Sequence, residues 1–181
     1  RGYAHPDVER VYKRAYTLCK QAEKKPQLLP ILYGLSTYYM VKGDFASCNE
    51  LWQIFQELAE RDGCADALPW GYSIPCMTSW YKGNYRDSSR FADQGIGYYD
   101  PVSQQNNCLQ YGMDAGLVCI LHNALAQWIM GFPQRAKDEM NKAIEIADEY
   151  ANPFMKSFVL CFAGWLQSFL RNFPSADTYA T

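Results

Sequence analysis

Two histidines, seven cysteines and 19 acidic side chains are the groups that could support acid–base, nucleophilic or metal chemistry in this chain. Cys119 and His122 stand at i and i+3 of one predicted helix, a spacing that can begin a metal site. No second Cys/His pair accompanies them, His5 is distant in sequence, and no CxxC occurs. Nucleophilic catalysis by a Cys–His couple at that spacing is equally unsupported. There is no GxxxxGK[ST] phosphate loop and no GxGxxG. Gly95-Ile96-Gly97 ends a predicted helix and lacks the preceding strand a dinucleotide site needs. Asp and Glu fall mostly on wet helix faces. The expectation is a chain that is not an enzyme, with no catalytic residue, no metal site and no cofactor.

The cysteines are Cys19, Cys48, Cys64, Cys76, Cys108, Cys119 and Cys161. An odd count without CxxC argues against a disulfide framework. Cys48, Cys119 and Cys161 lie on apolar helix faces, so the thiols read as reduced and buried in a cytoplasmic protein. The 17 basic and 19 acidic residues nearly cancel. No long basic run is present, which argues against a nucleic-acid partner and against attraction to a membrane surface. The first 25 or so residues lack the apolar run of a signal peptide. A start at Arg1 and a stop inside a further helical pattern suggest a segment of a larger protein.

The elements that would position these groups are helices joined by tight corners. Leu117 to Tyr150 reads as two amphipathic helices joined at Gly131-Phe132-Pro133. Related corners are Lys42-Gly43-Asp44-Phe45, Lys82-Gly83-Asn84-Tyr85 and Arg171-Asn172-Phe173-Pro174. The spacings are 40 residues from Gly43 to Gly83, 48 from Gly83 to Gly131 and 41 from Gly131 to Asn172. A recurrent unit of about 40 residues is the signature of a helical repeat array.

Apolar periodicity predicts helices over Asp7–Lys24, Pro26–Lys42, Phe45–Arg61, Ala65–Lys82, Tyr85–Tyr98, Asp114–Met130, Pro133–Tyr150 and Asn152–Arg171, with a ninth beginning at Pro174. Gly43 should stop one helix, with Asp44 and Asn84 capping those that follow. Pro75 falls inside the fourth, at a cost of ~3 kcal/mol, so a kink or break is expected between Pro69 and Pro75. Residues Asp100 to Met113 interrupt the periodicity and account for the 48-residue spacing. Asp100-Pro101 should end a helix, and a short helical turn is expected near Gln104 to Tyr111. The run FVLCFAGWL is bracketed by Lys156 and Gln167 and is too short to span a bilayer.

The corners resemble the turn of the tetratricopeptide repeat, in which a helix ends in Gly, a polar cap and an aromatic. Leu35, Tyr39, Cys48, Trp52 and Phe55 flank the first corner at that family's spacing. Ala136, Met140 and Ala143 occupy small–large–small positions after the third. The segments YDP (Tyr99–Pro101), YGMDAG (Tyr111–Gly116), WIMGFPQRA (Trp128–Ala136) and NPFMKSF (Asn152–Phe158) resemble a narrower group. This is the repeat region that follows the ATPase module in bacterial predicted ATPases, often fused to adenylate or guanylate cyclase domains. That pattern reads approximately YGxDPGV…LWxLGYPDQA…HPFSxAF, from which Met113, Ala115 and Asn152 depart without disturbing the spacing. The spacing near 40, rather than 34, leaves other two-helix solenoids open. The resemblance implies a signalling or regulatory array and carries over no catalytic residue.

The expected fold is all-α: a right-handed α-solenoid of antiparallel helix pairs, with about eight helices plus a truncated ninth, as a single domain over residues 1–181. In such an array, first helices line the concave side. Counting back from the corners places Tyr33, Thr37 and Met40 there, then Trp70, Ser73, Met77 and Trp80, then His122, Leu125 and Trp128, and finally Phe162, Leu166 and Phe169. Inter-helix core is the competing role for each. Aromatics and Met suit a peptide-binding surface. The expected function is protein–protein interaction within a larger cytoplasmic regulator, with an apolar protein or peptide segment as partner. Self-association, or sensing of a small apolar ligand, is the alternative.

Overall fold

The computed structural model describes residues 5–21, 27–104, 111–149 and 152–180, and every element in them is helical. The helices are α1 (Pro6–Gln21), α2 (Leu28–Lys42), α3 (Phe45–Arg61), α4 (Leu68–Tyr81), α5 (Tyr85–Gly97), α6 (Ala115–Ile129), α7 (Pro133–Glu149), α8 (Pro153–Phe169) and α9 (Phe173–Ala180). Pro26, Cys108, Tyr150, Thr181 and most of the turn expected at Gln104–Tyr111 lie outside the described residues.

Side-chain caps set three of the helix starts. Asp44 accepts from Ser47 N at 3.1 Å, Asp114 from Leu117 N at 2.8 Å, and Asn152 from Phe154 N at 3.0 Å. Asn84, expected to cap α5, makes no side-chain cap hydrogen bond. Asp100, expected only to end a helix, caps a new turn over residues 101–104 by accepting from Ser103 N at 3.2 Å. That turn begins earlier than its sequence suggested because Pro101 can occupy a first helical position without losing a hydrogen bond.

The corners share one closure. A residue at positive φ donates its N–H three residues back, and the next residue donates five back. Gly43, Gly63, Gly83 and Gly131 end helices this way. The fourth corner corrects the sequence register. Arg171, at φ 58°, holds the left-handed position, with Arg171 N to Ser168 O at 3.0 Å and Asn172 N to Gln167 O at 2.9 Å. Counting from Arg171 makes the last spacing 40 residues rather than 41.

Helix α4 is unbroken between Pro69 and Pro75, where a kink or a break was expected. The irregularity falls at the 3₁₀ turn Ala65–Ala67, and α4 then continues through Pro75. Nine of its residues are buried, among them Trp70, Ile74 and Met77. Each large buried side chain contributes about 1.5–3 kcal/mol, which together outweighs the ~3 kcal/mol cost of the proline.

Burial alternates along the chain. Helices α2, α4 and α6 are buried round much of their circumference, and α6 has twelve consecutive buried residues from Ala115 to Ala126. Helices α3, α5 and α7 bury one stripe each, such as Ala136, Met140, Ala143 and Ala147 of α7. Each helix packs on the next in sequence, and α2–α4, α4–α6 and α6–α8 also pack on one another. One large apolar cluster joins α6, α7 and α8, and another joins α2, α3 and α4. Cys76, Ala92 and Cys119 fill the space between α4, α5 and α6. At the start of α6 the Tyr99 ring lies where a Cβ on Gly116 would be. The Tyr99 hydroxyl also donates to the capping Asp114 at 3.1 Å.

A non-glycine residue in the left-handed region costs on the order of 1 kcal/mol. Arg171→Gly is therefore expected to stabilise the chain by about 0.5–1 kcal/mol, and Gly131→Ala to destabilise it by about 1 kcal/mol. Thermal unfolding of both variants checks this: equal melting temperatures would show that the corner geometry carries no such cost.

Candidate functional site

The residues counted onto an inner face divide into two groups. Tyr33 and Trp70 are core, packed around Tyr111: the Trp70 and Tyr111 rings stack at 4.1 Å, and Tyr33 meets Tyr111 edge-on at 6.0 Å. Trp70 Nε1 donates to Met113 O at 3.1 Å, so its polar atom is satisfied within the chain. Thr37 is half-buried and donates to Tyr33 O, while Ser73 is buried and donates to Trp70 O. Met77 is buried, as are Leu125 and Leu166. Trp128, half-buried, stacks on Phe169 at 4.8 Å. Tyr33, Trp70, Ser73, Met77, Leu125 and Leu166 therefore have packing roles, while Thr37 and Trp128 keep part of their surface open.

Trp80, His122 and Phe162 form the second group, and the fold brings them together. The Trp80 and His122 rings lie 5.8 Å apart, and the His122 and Phe162 rings 5.2 Å. The contacts extend outward in both directions. Tyr81 reaches His122 at 6.2 Å, Trp165 reaches Phe162 at 5.1 Å, and Phe158 and Phe154 continue along α8 at 5.0 and 6.4 Å. Tyr81, Phe154 and Trp165 are exposed at 53%, 59% and 46%. The result is an aromatic wall on α4, α6 and α8, buried at His122 and open at its edges. Sequence reasoning missed Tyr81, Phe154, Phe158 and Trp165. The stripe Phe154, Phe158, Phe162, Trp165 has the i, i+4, i+8, i+11 spacing of one helix face and was the available signal.

His122 is the one titratable group within the wall's buried centre. Its Nδ1 lies 2.8 Å from Val118 O, so Nδ1 carries the proton and donates, leaving Nε2 as a bare acceptor. Burial lowers its pKa to about 4, against the opposing pull of the Val118 carbonyl. Nε2 has no hydrogen-bond partner among the described residues, and neither has Trp80 Nε1. Both atoms are buried, so what the wall offers at its surface is the apolar area of its exposed rings.

Two of the buried thiols are held in the protonated form. Burial pushes Cys48 up to about 12, and Cys119 is raised by its hydrogen bond with Cys76 and by burial. Cys161, expected to be buried, is exposed on α8. Among the described residues no group of three or more His, Cys, Asp or Glu side chains could hold a metal ion, and no helix is long and apolar enough to cross a membrane. The chain matches no family model and no curated protein sequence.

The depressed His122 pKa gives a pH signature. Between about pH 6.5 and 4 the unfolded chain takes up a proton at this residue and the folded chain does not. Stability is therefore lost as pH falls, by about 1.4 kcal/mol per pH unit in that window. Asp93 and Glu139, raised by burial, act in the opposite sense and are shared by any His122 variant. In denaturant titrations at several pH values, the stability of His122→Phe relative to the parent should rise across the window. Parallel curves would contradict a buried neutral His122.

Proposed function

We propose that this chain is a non-catalytic protein-interaction module in which the aromatic wall binds an apolar segment of a partner protein. The observation that carries this reading is the continuity of the wall. Eight aromatic rings form one connected network: Tyr85, Trp80, Tyr81, His122 and Phe162 lead to a branch, with Phe158 and Phe154 on one arm and Trp165 on the other, and three of the eight are open to solvent. Aromatic side chains give large contact area at low entropic cost, and open edges beside a rigid buried centre suit a pre-formed docking surface.

The same reading extends to architecture. Packing of α2 on α4, α4 on α6 and α6 on α8, with α3, α5 and α7 each burying one stripe, is what a right-handed solenoid of antiparallel helix pairs requires. The tetratricopeptide-like corners, and the motifs similar to the repeat region of bacterial ATPase–cyclase signalling proteins, support a regulatory role in a cytoplasmic signalling protein. A small apolar ligand is the second reading. It is favoured by a cleft of about 550 Å³ between α8 and α9, lined by Leu160, Cys161, Trp165 and Tyr179.

Selection of short peptides from a random display library, followed by titration calorimetry, tests the first reading. Apolar peptides are expected, with Tyr81→Ala plus Trp165→Ala weakening them about tenfold or more and leaving helical content unchanged. Peptide affinities indifferent to both substitutions would sink the aromatic wall as the docking surface.

A further inference from the structure

A second cleft, also about 550 Å³, lies between α5 and α7 with α6 contributing to its lining, and its chemistry differs from that of the wall. Helix α5 sets Arg86, Arg90 and Asp93 on one face at i, i+4 and i+7, and α7 adds Arg135. Arg90 pairs with Asp87 at 3.0 Å. Arg86 and Arg135, both exposed, have no carboxylate within 4.0 Å among the described residues. Two of the guanidinium groups are held over rings, Arg90 at 4.4 Å from Phe91 and Arg135 at 5.1 Å from Phe132. Such stacking orients a planar group and lowers the entropy lost when it binds an anion.

Beneath the arginines the polar groups are tied down. Ser89 donates to Asn123 Oδ1 at 2.8 Å, and Gln127 Nε2 donates to Ser89 Oγ at 3.0 Å and to Asn123 Oδ1 at 3.3 Å. These bonds fix the Gln127 carboxamide, whose Oε1 has no donor among the described residues. Asp93 is the one carboxylate lining the cleft. It accepts from Asn123 Nδ2 at 3.4 Å, which ties it to the network beneath the arginines.

The cleft therefore calls for a ligand with more than one negatively charged acceptor, since Arg86 and Arg135 stand on different helices. An acidic peptide supplies these as side-chain carboxylates, one for each guanidinium, whereas inorganic phosphate brings one compact charge centre. The chain as a whole carries a formal charge of −2, so the positive character is local to this cleft and does not come from a basic surface that would attract any polyanion. We propose that the Arg86/Arg90/Arg135 cleft binds an acidic peptide segment of a partner protein, its carboxylates on Arg86 and Arg135. This site is separate from the aromatic wall and does not depend on it.

Fluorescence anisotropy on the full chain, with a labelled short peptide of alternating Glu and Ala at about 150 mM salt, tests the assignment. The Gln/Ala counterpart and the Arg86→Gln plus Arg135→Gln variant should each bind about tenfold more weakly or worse. Trp165→Ala should leave the affinity unchanged, which separates this site from the wall. Arg86→Glu plus Arg135→Glu should invert the preference toward a Lys/Ala peptide, giving a gain that misfolding cannot mimic. Equal binding by parent and Gln variant, failure of the inversion, or complete displacement by millimolar inorganic phosphate would each overturn an acidic-peptide site. The last would leave only a general anion site.

Discussion

Helix α6 has twelve successive buried residues, and no isolated helix of that composition would persist in water. It requires apolar neighbours round its whole circumference, supplied by α4, α5, α7 and α8. Three polar tethers hold it in register. Tyr99 grips the capping Asp114, Trp70 binds the Met113 carbonyl just before the helix, and Ser89 of α5 binds Asn123. Each satisfies a group whose burial without a partner would cost about 1–3 kcal/mol, so the tethers select one seating of α6 where apolar packing would tolerate several. The positions of α4 and α8, and hence of the aromatic rings they carry, follow from that seating.

The proposed docking role depends on how burial is distributed along the wall. His122 is fixed by the Val118 carbonyl and kept neutral by its surroundings, which makes it a rigid apolar element carrying one unused acceptor. Further out, Tyr81, Phe154 and Trp165 leave the core with large faces unburied. Exposed rings backed by an immobile centre lose little freedom when something covers them. The arginine cleft follows similar logic with opposite chemistry: a polar network holds Gln127, and aromatic stacking holds Arg135, before any ligand arrives.

Much of the helical pattern was readable in the sequence because capping and helix-stopping chemistry is local. Asp44, Asp114 and Asn152 cap from positions that their types announce, and Gly43, Gly83 and Gly131 close helices as glycine does. Arg171 was missed because nothing about an arginine announces a left-handed backbone, and the adjacent Asn172 offered a more conventional stop. Pro75 misled in the other direction, since the packing that carries α4 through it comes from residues distant in sequence. The site was partly readable for the same reason. Counting back from the corners found Trp80, His122 and Phe162, which share a surface. It also named Tyr33 and Trp70, whose fate was decided by Tyr111 folding onto them from within the irregular segment. The cleft arginines were not singled out in the sequence, because only the packing of α5 and α7 against α6 brings them together.

The most direct test of a docking role for the wall is residue-resolved chemical-shift mapping of the chain titrated with an apolar peptide selected against it. A docking wall predicts that the largest changes cluster on Tyr81, His122, Phe158, Phe162 and Trp165, with α1 and α3 unperturbed. Changes centred elsewhere, or spread evenly over the chain, would contradict it.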